Sequence, residues 1–187
     1  RDDREDPEAL LAKAAEVGAK LIYISNPDNP MGTWHAADRL QDMINRVPEG
    51  ALLVLDEAYL ECAPAGTAPP FDPEDGRVIR MRTFSKAYGM AGARVGYAIC
   101  APELARAFNK VRNHFGMSRV SQAGALAALA DQDYLRETVA QVATARRRLA
   151  KIAVENGLTP LESATNFVTM DAGAGGAVAR ALAAAPV

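Results

Sequence analysis

The chain has little of what would mark a disulfide-stapled, metal-bound or membrane-embedded protein. Its two cysteines, Cys62 and Cys100, cannot make a disulfide framework, and neither has a neighbour at metal-ligand spacing. The two histidines, His35 and His114, lie far apart in sequence, which argues against a metal site. No apolar run approaches the length of a membrane span, and Arg1-Asp2-Asp3-Arg4-Glu5-Asp6 is the opposite of a signal peptide. A formal net charge of -2 gives no reason to expect nucleic acid or an anionic membrane as partner. A reducing, cytoplasmic setting fits these absences. No internal repeat is evident. The basic cluster Arg146, Arg147 and Arg148 falls in a helical stretch and reads as a solvated face.

What is present is a globular composition, 49% hydrophobic and 24% charged over 187 residues. That length suffices for one substantial core and part of a second domain. A helix is expected from Pro7 to about Lys20, capped by Asp6, with Leu10, Leu11, Ala14, Ala15 and Val17 at helical spacing. Strand Leu21–Ser25, a helix over roughly His35–Val47 and strand Ala51–Leu55 follow. A proline-rich loop then leads to strand Arg77–Arg82. Continuous apolar strands alternating with helices argue for a mainly parallel sheet covered on both faces, a three-layer αβα arrangement. One pair should differ. About eleven residues separate Arg77–Arg82 from the run Val95–Cys100, too few for a parallel crossover, so these two strands should be antiparallel. Helices are expected at Pro102–Asn113, at Val120–Ala130 and from Gln132 to Asn156, the last about 37 Å long with Gly157 as its stop. A short strand near Asn166–Met170 would open a small α+β domain. The expected division is 1–131, part of a large domain, 132–157, an inter-domain helix, and 158–187, part of a small domain.

Three segments carry chemistry. After the first strand comes Asn26-Pro27-Asp28-Asn29-Pro30-Met31-Gly32. The second strand runs into Asp56-Glu57-Ala58-Tyr59. The third feeds Thr83-Phe84-Ser85-Lys86-Ala87-Tyr88-Gly89-Met90-Ala91-Gly92-Ala93-Arg94. Two hydroxyls and an arginine suit a phosphate ester, since hydroxyls donate to its oxygens and a guanidinium pairs with it bidentately. Gly89 and Gly92 would let the loop turn tightly between Lys86 and Arg94. The lysine suits covalent chemistry, because an amine attacks an aldehyde in its neutral form, which desolvation and nearby positive charge favour. Asp56 stands at a strand's carboxyl end, where open α/β sheets place their ligands.

In this order the three segments resemble the pyridoxal-phosphate-dependent aminotransferases of fold type I, and within them the histidinol-phosphate aminotransferase branch. The resemblance runs from about Leu21 to Asn166. It implies pyridoxal 5'-phosphate as cofactor, with Lys86 as its covalent anchor and proton shuttle and Asp56 on the pyridine nitrogen. It implies that Tyr59 and Asn29 approach the ring oxygen and that Thr83, Ser85 and Arg94 hold the 5'-phosphate. Asn166 would line the pocket. The implied reaction moves an amino group from an amino acid or amine, by resemblance L-histidinol phosphate, to 2-oxoglutarate in a ping-pong cycle, in a homodimer. The enzymes it resembles are longer at both ends, so the chain is expected to be incomplete.

Four alternatives stay open on the residues alone. An aromatic amino acid could be the donor. A decarboxylase on the same scaffold would use Lys86 and Asp56 alike. Leu52–Glu57 also looks like the magnesium-binding strand of a P-loop ATPase, and the fragment could instead be a catalytically dead nucleotide- or phosphate-binding module. The ATPase requires G-x-x-x-x-G-K-[ST], and no Gly-Lys pair occurs in the chain.

Overall fold

The computed structural model describes residues 3–173; the mildly Ala/Gly-rich end from 174 to 187, and with it half of the expected small domain, lies outside them. Helix α1 (Pro7–Val17) opens where expected. The Asp6 carboxylate accepts from the amides of Glu8 and Ala9, and Pro7 fills the first turn. It ends earlier than the periodicity suggests, because Gly18 takes the left-handed conformation (φ 62°) and donates back to the last turn. Strand β1 (Leu21–Ser25), helix α2 (Ala37–Asn45), strand β2 (Leu52–Asp56), strand β3 (Val78–Thr83) and strand β4 (Gly96–Ile99) follow. The sheet order is β1-β2-β3-β4. The first two pairings are parallel and the last, between β3 and β4, is antiparallel. The short connection therefore predicts the strand direction correctly.

Strand alternation sorts the side chains. One face presents Ile22, Ile24, Leu53, Leu55 and Val78, all buried against Leu11 and Ala14 of α1 and Leu40, Met43 and Ile44 of α2. The opposite face carries Leu21, Tyr23 and Met81, which are 63%, 52% and 39% exposed. Asp56 and Thr83 stand on this second face, since residues paired in register share a face and Asp56 pairs with Ser25 and Met81. The covered face anchors the sheet; the other bears the polar strand ends.

Helices α3 (Pro102–Val111), α4 (Arg119–Ala130) and α5 (Gln132–Glu155) complete the described helices. Helix α4 packs Ala125 and Ala128 against Phe84, Tyr88 and Val95, the residues that flank the Lys86 turn. Helix α5 stops at Asn156 and Gly157 (φ 73°). Strand β5 (Thr159–Pro160) then pairs antiparallel with strand β6 (Met170–Asp171). The strand expected over 166–170 is thus confined to its last residue and Asp171. Upstream, Ser163 and Thr165 turn their hydroxyls onto the Phe167 carbonyl, at 2.6 and 3.2 Å, and hold a bend. The three helical arginines also divide: Arg147 and Arg148 are exposed, but Arg146 turns inward and donates to the Cys62 and Thr165 carbonyls.

Beneath the edge of the sheet lies a buried ion cluster. Glu57, 1% exposed, accepts from Arg80 Nε at 3.0 Å on each carboxylate oxygen and from Arg82 Nε at 2.9 Å. Arg80, 3% exposed, also donates Nη1 to the Pro69 carbonyl at 3.0 Å. Removing one partner of such a cluster leaves an uncompensated buried charge. Glu57→Ala is therefore expected to lower unfolding free energy by about 3–5 kcal/mol, read as a fall in the urea midpoint. A change below about 1 kcal/mol, the scale of a solvated surface pair, would contradict the burial.

Candidate functional site

The carboxyl ends of β1, β2 and β3 lie along one edge because all three strands run parallel. Each hands its chain to one of the three polar segments. Asp56, Thr83, Ser85 and Arg94 line a single cavity of about 430 Å³, shared with Met81 and Gly96. That volume is within the range of small-molecule sites. Antiparallel pairing brings β4 back along β3, with Gly96 opposite Thr83, so Arg94 folds back to the same place. Gly96 allows this close pairing, since a Cβ there would come within 2.7 Å of the Arg82 carbonyl oxygen.

The half-buried Asp56 carboxylate is held from two sides. Its Oδ1 accepts from the Ala58 amide at 3.0 Å and its Oδ2 from the Tyr23 hydroxyl at 2.8 Å. Thr83 Oγ1 accepts from the Ser85 amide at 3.1 Å. The Ser85 hydroxyl has no hydrogen-bond partner among the described residues and remains available to a ligand. Gly89 has positive φ (69°), as the tight turn requires, but Gly92 does not. The left-handed residue is instead Arg94 itself (φ 53°, ψ 53°), whose Nη1 donates to the Ala91 carbonyl at 2.9 Å. A non-glycine residue pays roughly 1–2 kcal/mol for that conformation, so the turn holds Arg94 in a strained backbone that aims it at the cavity.

Asn29, Tyr59 and Lys86 form a second group. Asn29 Nδ2 donates to the Tyr59 hydroxyl at 2.9 Å. Lys86 Nζ lies 4.9 Å from the centroid of the Tyr59 ring, and the Phe167 ring meets that ring edge-on at 5.5 Å. Lys86 is half-buried rather than extended into solvent. It does not line the Asp56 cavity; a cation over an aromatic face holds it beside that cavity. The chain joins the two groups directly, since Lys86 follows Ser85 and Tyr59 lies one turn after Asp56. The expected pocket residue Asn166 is exposed; its neighbour Phe167 makes the contact.

Several participants escape a sequence reading. Tyr23 reaches Asp56 through strand register, and Phe167 reaches Tyr59 across a distance of more than a hundred residues in the chain. Alternation along β1 does place Tyr23 opposite to the core residues Ile22 and Ile24, a signal that needs the β1–β2 register before it points to Asp56. Glu57, which a magnesium-binding strand would offer to a metal, is engaged by Arg80 and Arg82.

Partial desolvation of the half-exposed Tyr23 side chain pushes its phenol up to about 12, and its hydrogen bond to the Asp56 carboxylate adds to the shift. Unfolded, the same phenol ionises near ~10. Stability from this proton is therefore complete below about pH 10 and is lost as pH rises towards 12. Alkaline titration of tyrosinate absorbance should show that Tyr23→Phe removes a phenol titrating near pH 12. Loss of one titrating near ~10 would contradict the Tyr23–Asp56 bond.

Comparison with known proteins agrees with this geometry. The profile of the family described as "Aminotransferase class I and II" matches residues 2–185. The chain is 40% identical over 178 residues to a histidinol-phosphate aminotransferase of Geobacillus thermodenitrificans, covering 94% of this chain and 48% of that protein. It is 40% identical over 181 residues to an aromatic amino acid aminotransferase of Nocardia farcinica, covering 92% and 49%. Among solved structures, histidinol-phosphate aminotransferase from Sinorhizobium meliloti in complex with pyridoxal-5'-phosphate superposes with a TM-score of 0.94 and 54% identity, over 97% of this chain and 50% of that one. The chain spans about half the length of the curated relatives it matches. With a profile match over nearly its whole length and the strand-end residues gathered at one edge, the chain belongs to the class I and II aminotransferases.

Proposed function

We propose that the protein carrying this chain is a pyridoxal-phosphate-dependent aminotransferase that moves an amino group from L-histidinol phosphate to 2-oxoglutarate. The observation that carries the reading is the single cavity lined by a carboxylate, two hydroxyl residues and a guanidinium, with a half-buried lysine beside it. These groups fit a phosphorylated pyridine aldehyde. Asp56, already oriented by Tyr23 and Ala58, would keep a proton on the pyridine nitrogen. Thr83, Ser85 and Arg94 would hold the phosphate. Tyr59 and Asn29, joined by their own hydrogen bond, would meet the ring oxygen. Bound, the cofactor supplies an electron sink for a carbanion at the substrate's α-carbon. Lys86 would anchor the cofactor and then move the proton to and from that carbon as general base and acid.

The names of the similar proteins favour histidinol phosphate as donor, and the Nocardia relative makes an aromatic amino acid the comparison substrate. We further propose a large domain over 1–131, an inter-domain helix over 132–157 and the start of a small domain after it. A homodimer is part of the same reading, supported by exposed apolar side chains at the end of α3, in the turn after it and at the start of α4: Val111 at 82%, Phe115 at 95% and Val120 at 83%. A cytoplasmic setting is supported by the free thiols of Cys62 and Cys100. No helix among the described residues is long and apolar enough to cross a membrane.

In the full-length protein, borohydride reduction should attach the cofactor to one lysine, Lys86, by peptide mapping. Lys86→Ala should abolish amino transfer from histidinol phosphate to 2-oxoglutarate. Labelling elsewhere would remove Lys86 from its role, and faster turnover of an aromatic donor would overturn the substrate assignment. Asp56→Ala should still bind cofactor, more weakly, while turnover falls by orders of magnitude, because an unprotonated pyridine is a poor electron sink. Near-normal turnover in that variant would exclude Asp56 from the chemistry.

A further inference from the structure

The half-buried Arg146, in the middle of α5, donates from one nitrogen, Nη1, to two carbonyls that are far apart in sequence: Cys62 at 3.2 Å and Thr165 at 2.8 Å. Cys62 ends the 3-10 turn Leu60–Cys62 that immediately follows Tyr59. Thr165 belongs to the bend whose Phe167 ring stands edge-on to Tyr59 at 5.5 Å. One guanidinium therefore ties together the two backbone segments that meet at the Tyr59 ring, on which Lys86 Nζ rests at 4.9 Å.

The same bend is fastened to the Asn29 loop. The Ala164 amide donates to the Gly32 carbonyl at 2.8 Å, and Thr169 Oγ1 bonds the Pro30 carbonyl. Ser163 packs so closely on Gly32 that a Cβ there would lie 2.6 Å from its hydroxyl oxygen. Gly32 has φ 81° as well, so both the turn and the contact demand glycine. Ala164 and Thr165 are 0% exposed. Within this buried joint, Arg146 is the cationic donor that reaches carbonyls on both the Tyr59 side and the Phe167 side.

We infer that Arg146 is a positioning residue for the active site: by holding the 60–62 and 163–167 segments together it sets the Phe167–Tyr59 wall against which Lys86 is placed. The inference rests on the aminotransferase reading of that site. It assigns to α5 a role besides spanning length, and to Phe167 the task of fixing the Tyr59 ring that Asn29 and Lys86 also contact. The hydrogen bonds of Arg146 go to backbone carbonyls and not to the Tyr59 hydroxyl, so its effect passes through the two carbonyls.

The test uses the full-length, cofactor-loaded protein and the variant Arg146→Met, which keeps the apolar stem and removes the donor. Hydrogen exchange should accelerate over residues 60–63 and 161–169 while α5 stays protected. In kcat/KM for amino transfer, a loss of roughly ten- to hundredfold is expected, the size of a hydrogen bond to a charged group. In a Phe167→Ala background the same substitution should cost little more, since residues acting through one contact are not additive. Arg146→Lys keeps a cation that can serve both carbonyls from one nitrogen, and should restore most of both readouts; if the Met protein does not fold, Arg146→Gln, which removes the charge but stays polar, takes its place with the same expected losses. Unchanged exchange over both segments would overturn the inference. So would faster exchange with unchanged kcat/KM, or losses that simply add to those of Phe167→Ala. A wild-type protein without amino transfer would instead overturn the aminotransferase reading, with the exchange result still reporting on the joint.

Discussion

The site depends on a buried carboxylate that takes no part in its chemistry. Glu57 sits next to Asp56, and strand alternation points the two in opposite directions. Its amide donates to the Met81 carbonyl at 2.9 Å, and its carboxylate meets Arg80 and Arg82 beneath the sheet. Burying these charges is costly, and the cost is offset only in a geometry that satisfies all of them. That geometry fixes β2 against β3 at their carboxyl ends. Asp56 must then face the open side, and Thr83, one residue after Arg82, must face the same way. The carboxylate and the hydroxyls of the cavity inherit their alignment from an ion cluster on the other side of the sheet.

Two further devices finish the arrangement. The antiparallel return of β4 brings Arg94 back towards Thr83, and the strained backbone at Arg94 sets its direction at the cavity wall. A joint made of Gly32, Ser163, Ala164 and Arg146 brings residues far along the chain to the Tyr59 ring. The first device gathers groups suited to an anion. The second braces an aromatic surface on which a lysine can rest out of bulk water. Together they surround a polar cavity at the point where an α/β sheet ordinarily binds its ligand.

Much of this is legible in the sequence, and the parts that are not have identifiable causes. Strand β1 is recognised to its ends, and the antiparallel pairing follows from the length of one connection, because chain reach is a local property. Asp56, Thr83, Ser85 and Arg94 are found by type and spacing, and they do share a cavity. What local patterns miss depends on register or on distant contact. Tyr23 finds Asp56 only through the β1–β2 register, and Phe167 finds Tyr59 only after α5 has turned the chain back. Arg146 reads as one of three solvated arginines because helical periodicity does not say which of them meets a carbonyl. Of the two loop glycines expected to allow the tight turn, Gly89 takes positive φ and Gly92 does not; the second left-handed residue is Arg94.

The open-face ends of β2 and β3, read together, form one cofactor cradle. A crystal structure of the full-length protein grown with pyridoxal phosphate tests it most directly. The phosphate is expected against Thr83, Ser85 and Arg94, the pyridine nitrogen facing Asp56, and Tyr23 still bonded to that carboxylate. A phosphate bound elsewhere, or a pyridine ring turned away from Asp56, would contradict it.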